Sequence, residues 1–216
     1  MDFADPPRVI RAGLVAGRAH YDTVIRAVME ASHSVWIATA NLKELMVEDH
    51  RAAPGRRRTR RRRSYRSILA VFAEHARRGV EIRVLHAGAP SRAFRAELDR
   101  HPLLWKRGLE LRQCPRLHFK AVVVDGAFLY LGSANWTGAG LGAKGAGRRN
   151  FELGFVTADD HLLDRVQFFY DRIWSGGECG ACKVRDLCPG PLDILRMGPL
   201  KGSPNPRVSR PAAPRA

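Results

Sequence analysis

Between residues 117 and 137 the chain reads Leu-His-Phe-Lys-Ala-Val-Val-Val-Asp-Gly-Ala-Phe-Leu-Tyr-Leu-Gly-Ser-Ala-Asn-Trp-Thr, and His118, Lys120, Ser133 and Asn135 stand out by type and spacing. Cleaving a phosphodiester monoanion calls for a fixed cation, neutral hydrogen-bond donors, a nucleophile and an acid. Lys120 is such a cation, Ser133 and Asn135 are neutral donors, and His118 can attack or carry a proton. The same run contains what is needed to gather them. Two short apolar strands, 117–124 and 127–131, flank Asp125-Gly126, a strong hairpin signal. Alternation along the first strand puts His118 and Lys120 on one face. Gly132 lets backbone N–H groups come close to an anion and so joins the candidate substrate-binding residues. The competing reading is a buried hairpin whose histidine is a satisfied core residue.

The flanking chain predicts the elements that hold this hairpin. Residues 8–16 read as a first edge strand, and Tyr21, Val24, Ile25, Val28 and Met29 recur at helical spacing between Arg18 and Ser32. A buried strand at 34–40 follows, then a helix at 64–78 stopped by Gly79, a strand at 80–85 and another at 109–112. After a glycine-rich loop at 136–147, a strand over 149–156 places Asn150 and Glu152 on one face, and 159–174 closes as an amphipathic helix. Strand and helix alternation predicts an α/β fold: a mixed, mostly parallel sheet flanked by helices.

The spacing H-x-K-x4-D-x6-G-S-x-N, six fixed positions over eighteen residues, resembles the signature of the phospholipase D superfamily without a departure. Over residues 18–174 the element order is similar to that superfamily, and in size the chain is closest to its bacterial endonuclease type. The resemblance implies a phosphodiesterase that needs no metal or other cofactor for catalysis and works through a phosphohistidine. It assigns catalytic positions to His118, Lys120, Asp125, Ser133, Asn135 and Glu152, with Glu152 serving the motif histidine and Asp125 acting in orientation or structure. One histidine would be nucleophile and a second the acid and then base. None of His20, His33, His50, His75, His86, His101 and His161 has a lysine two residues on, so the second is expected from a homodimer partner.

At 216 residues and 45% hydrophobic, the chain suffices for one sizeable domain. Its net charge of +16 points to a polyanionic partner. Nucleic acid is expected and an anionic membrane surface is the alternative, while part of the charge can reflect an arginine-rich genome. Residues 56–63 hold seven arginines in eight positions, inside a loop spanning 43–64 that follows the 34–40 strand. Arg56, Arg57, Arg58, Arg60, Arg61, Arg62 and Arg63 are therefore candidate phosphate contacts. The alternatives are a solvated loop, or a lipid-surface or targeting patch. No apolar leader and no run of eighteen apolar residues is seen, so a soluble cytoplasmic protein is expected. A nuclease is the favoured function; a phospholipase D or phosphatidyltransferase acting on lipid headgroups, and a non-catalytic nucleic-acid-binding protein, are the competitors.

Cys179, Cys182 and Cys188 follow the closing helix within ten residues, and Cys114 is the only cysteine left as a fourth ligand. Clustered thiols in an intracellular protein suit zinc or an iron–sulfur cluster in a structural role, against free or redox-labile thiols. The organisation expected is a phosphodiesterase domain at 1–175, a small Cys-rich metal-binding appendage at 176–197 and a disordered basic tail at 198–216.

Overall fold

The computed structural model describes residues 2–49 and 64–194. The arginine run 56–63 and the tail from 198 lie outside the described residues.

In chain order the elements are β1 (Gly13–Ala16), α1 (Arg18–His20), a π turn (Tyr21–Ile25), α2 (Arg26–Glu30), β2 (Ser34–Thr39), β3 (Met46–Glu48) and β4 (Tyr65–Ser67). They continue as α3 (Ile68–Arg77), β5 (Glu81–His86), α4 (Arg92–Leu98), α5 (Pro102–Arg107), β6 (Glu110–Gln113), β7 (Lys120–Val124), β8 (Phe128–Gly132), β9 (Leu153–Thr157) and α6 (Asp160–Trp174). Seven strands form one sheet in the order β1-β9-β8-β7-β2-β5-β6, and β3 pairs with β4 separately.

The sheet is mixed, with helices on both faces as expected, but parallel pairs are not the majority. Only β2–β5 and β5–β6 are parallel; the other four pairings are antiparallel. Following these pairings, β1, β2, β5, β6 and β8 run one way and β7 and β9 the other. The hairpin β7–β8 and its neighbour β9 interleave opposite directions, which alternation of predicted elements does not reveal.

Side-chain alternation divides the core. Val35 and Ile37 of β2, Ile82 and Val84 of β5, and Val122 and Val124 of β7 face the helices before β2 together with α3, through Val24, Ile25, Val28, Leu69 and Phe72. The intervening Trp36, Ala38, Leu85 and Ala121 face α6, where Tyr170 and Trp174 are buried. Val123 and Leu129 meet Leu163 on that side as well.

Four boundaries differ from expectation, the first being the strand expected over 117–124, which begins at Lys120 and leaves His118 ahead of it. The helix expected from 64 begins at Ile68, because Tyr65, Arg66 and Ser67 pair with β3 and the Ser67 hydroxyl accepts the Leu69 N–H at 3.0 Å, an N-cap. The first strand is only 13–16, at the sheet edge as expected. The last strand starts at Leu153, so Asn150 and Glu152 precede the ladder. No described helix is long and apolar enough to cross a membrane.

Candidate active site

The register of the central strands gathers the site at one end of the strands. Ala38 of β2 stands opposite Ala121 of β7, Lys120 opposite Gly132 of β8, and Gly132 opposite Gly154 of β9. The start of β7, the end of β8, the start of β9 and the loop after β2 therefore meet. An open groove of about 530 Å³ runs there, lined by His118, Lys120, Gly132 and Ser133 and by apolar Leu14, Leu131, Leu153 and Phe155.

His118 is exposed just before β7, while Lys120 is 8% exposed. Lys120 Nζ donates to the His118 carbonyl oxygen at 2.6 Å and lies 3.4 Å from His118 Nε2. The ammonium is thus locked against the backbone of the residue whose ring it adjoins, and keeps donor capacity for an anion.

Asn135 is oriented by the carboxyl end of β2. Its Oδ1 accepts the Ala40 N–H at 3.1 Å, the Asn41 N–H at 3.0 Å and the Thr39 hydroxyl at 3.3 Å. With the oxygen so occupied, Nδ2 is the group left for an incoming oxyanion. Thr39 Oγ also accepts the buried Trp136 N–H at 2.8 Å, which ties the residues after β8 to the end of β2. Sequence reasoning missed Thr39; its one available signal was a hydroxyl closing an otherwise apolar strand.

Ser133 Oγ donates to Glu152 Oε2 at 2.5 Å and accepts the Leu153 N–H at 3.1 Å. Asn150 Nδ2 donates to the other Glu152 oxygen at 3.0 Å. The resemblance assigned Glu152 to the motif histidine; in this chain it is engaged by Ser133 and Asn150 instead. Its position just before β9, opposite the end of β8, puts it within reach of the serine.

Gly132 has a packing reason that the sequence did not disclose. A Cβ there would come within 2.7 Å of the Gly154 Cα and closer still to the Tyr130 hydroxyl. Gly132 and Gly154 together clear a slot for the fully buried Tyr130 side chain, whose hydroxyl oxygen accepts the Ala134 N–H at 3.2 Å. Burial, with a smaller contribution from Glu152, outweighs that hydrogen bond and pushes the Tyr130 phenol up to about 12. His20 packs edge-on against this ring at 5.4 Å, and burial lowers its pKa.

Asp125 lies away from this cluster. It occupies the β7–β8 turn with φ 53°, followed by Gly126 at 64°, the left-handed pair expected of Asp-Gly. It lies five positions beyond Lys120 along the strand, about 16 Å at the usual rise. Its carboxylate accepts the N–H groups of Ser32, His33 and Ser34 at 2.9, 2.7 and 2.8 Å and the Ser32 hydroxyl at 2.9 Å. Burial opposes ionisation, but these donors overcome it and bring the pKa down to about 2. Although the motif groups it with the catalytic positions, these contacts agree with the orienting or structural role expected of it: it fastens the hairpin to the turn that enters β2.

Residues 24–174 match the family model described as "Cardiolipin synthase, PLD-like domain". The chain belongs to this phospholipase D-like family. Among solved structures it is similar to NucT from Helicobacter pylori, with TM-score 0.51 and 16% identity over 76% of this chain and 95% of that one. It is likewise similar to Nuc from Salmonella typhimurium, a phospholipase D family member, with TM-score 0.52 and 18% identity over the same shares. At such identities these two likenesses show the fold. No curated protein gives a significant sequence match.

The phospholipase D-like model ends at Trp174, so Cys179, Cys182 and Cys188 lie beyond it. All three, with Cys114, are half-buried free thiols on the wall of one cavity. Sequence reasoning paired Cys114 with this trio as metal ligands, and the structure does bring the four to a common cavity. Yet among the described residues no group of three or more His, Cys, Asp or Glu is arranged to hold a metal ion, so the geometry lends the zinc or iron–sulfur expectation no support.

Proposed function

We propose that this protein is a phosphodiesterase that cleaves nucleic acid through a phosphohistidine on His118, without a metal ion in the reaction. The observation that carries the reading is the convergence of His118, Lys120 and Ser133 on one groove, while Asn135, two residues after Ser133, is oriented by three donors from the end of β2. In this mechanism the His118 ring nitrogen attacks phosphorus and the leaving oxygen departs with a proton. Water then attacks the phosphohistidine, giving its proton to the group that acted as acid. Lys120 and the Asn135 amide stabilise charge on the non-bridging oxygens, taking the part that a metal ion would otherwise play. Ser133, held by Glu152, adds a third polar contact.

The acid is the His118 of a second copy in a homodimer. No other H-x-K occurs in the sequence, and His20, His75 and His86 are buried. Beside the groove the chain exposes large apolar side chains, Leu14 at 75% and Leu153 at 56%, with Phe151 fully exposed nearby. A two-fold contact through this rim would cover them and bring two His118 residues to the axis. Nucleic acid rather than lipid is supported by the net charge of +16 and by the seven arginines of 56–63 as phosphate contacts.

The test is hydrolysis of single- and double-stranded DNA, RNA and phospholipid vesicles by the purified full chain in excess EDTA. Nucleic-acid cleavage that persists in chelator and disappears in His118→Ala and Lys120→Ala is expected. Loss of turnover on chelation of a still-folded protein would refute the phosphohistidine route, and cleavage of the vesicles alone would move the substrate to lipid.

A further inference from the structure

The groove is the phosphate site of the reading above, and a second hollow is also lined by His118. It measures about 360 Å³ and is bounded by the 113–119 loop, by Phe169 and Ile173 of α6, and by residues 178–192. That last wall follows the end of the phospholipase D-like match at residue 174. The lining is mostly apolar: Phe119 and Phe169 meet edge to face with centroids 5.1 Å apart, and Ile173 and Leu192 complete the enclosure. The four cysteines add soft, polarisable surface that packs well against aromatic rings. Two cations stand in the same wall, Arg185, pinned by Asp193 at 2.6 Å, and Arg116.

We propose that this hollow is a base-binding subsite, which receives the nucleobase next to the scissile phosphate of a single strand. The inference rests on the nucleic-acid reading above and extends it to strand preference. A mostly apolar hollow of a few hundred Å³ with a few fixed polar groups is of the size and character that takes a flat heterocycle. Because the hollow shares His118 with the groove, a base seated in it belongs to the nucleotide whose phosphate is under attack. Arg116 and Arg185 then meet the flanking phosphates, a role that two guanidinium groups would not serve beside an acyl chain. A base paired in a duplex is stacked and cannot enter without being extruded, so single strands are preferred.

The measurement uses single-stranded oligonucleotides with one cleavable linkage, intact or lacking the bases on both sides of it. Wild-type protein should cleave the intact strand roughly tenfold better in kcat/KM, the scale of one base stacking on aromatic groups. Annealing a complement should remove most of that advantage. Ile173→Trp, which fills the hollow, should bring the ratio of intact to abasic cleavage towards one. The wild-type comparison needs no variant, so it stands even if Ile173→Trp fails to fold. Equal cleavage of intact and abasic strands by wild-type protein overturns the subsite while leaving the nuclease reading in place. One equivalent of zinc held by the thiols of the purified protein also overturns it, since the metal and its ligands would occupy the hollow. Vesicle hydrolysis without nucleic-acid cleavage removes both readings.

Discussion

Replacing Asp125 should damage the fold and spare the chemistry. Its carboxylate accepts four hydrogen bonds from residues 32–34, and its pKa is brought to about 2 from an ordinary 3.8. Taken at face value, a shift of this size is worth about 2.5 kcal/mol. The group is partly open to solvent, so screening reduces the share realised to about 1 kcal/mol. Truncation to alanine also removes acceptors from N–H groups that water can partly resolvate, for a total of about 2 kcal/mol. In a chain of this length that lowers Tm by about 4–8 °C. The folded pKa is depressed, so the ionic contribution is complete above the unfolded pKa and is lost as pH falls through the folded one. The stability gap between wild type and Asp125→Asn should therefore narrow by about 1 kcal/mol between pH 5 and pH 2. Urea melts of wild type, Asp125→Asn and Asp125→Ala at several pH values should rank them in that order of stability at pH 7, with phosphodiesterase kcat/KM per folded molecule within about threefold of wild type. A variant that melts like wild type but has lost turnover would show that Asp125 takes part in the reaction, and the structural assignment would fail.

Gly132→Ala should cost about 1–3 kcal/mol and reduce activity, because the added methyl meets the Tyr130 hydroxyl and the Gly154 backbone; thermal melts check the first and kinetics the second. Thr39→Val should lower kcat more than it raises KM, with a stability loss of about 1–3 kcal/mol, since it leaves the Trp136 N–H without its acceptor and removes one of the three donors to Asn135 Oδ1. If wild-type and His118→Asn chains are mixed equally and exchange, about a quarter of randomly paired dimers keep both histidines. Activity per total protein near a quarter supports the shared site, whereas about half, after exchange is verified with a tagged chain, refutes it.

What could be read from the sequence was set by how far each contact reaches along the chain. The β7–β8 hairpin, its Asp-Gly turn and the α6 helix with its Asp159 cap depend on neighbours a few residues away, and local periodicity and turn chemistry suffice for them. The residues that orient the site depend on partners about ninety positions distant. Thr39 and the backbone of residues 40–41 fix Asn135, and residues 32–34 receive Asp125; neither pairing leaves a mark on either segment alone. A motif lists residues without saying which share a site; the Asp-Gly turn signal already pointed Asp125 to a structural role, but its partners in residues 32–34 were not legible. Gly132 shows the same limit in another form. Its backbone freedom near an anion was a sufficient reason for glycine in the sequence, but the contacts that exclude a Cβ come from Tyr130 below and Gly154 on the next strand. Because Tyr130 also supports the Ala134 N–H between Ser133 and Asn135, filling that slot would displace both polar residues together. The glycine is therefore coupled, through Tyr130 and Ala134, to the position of Ser133 and Asn135.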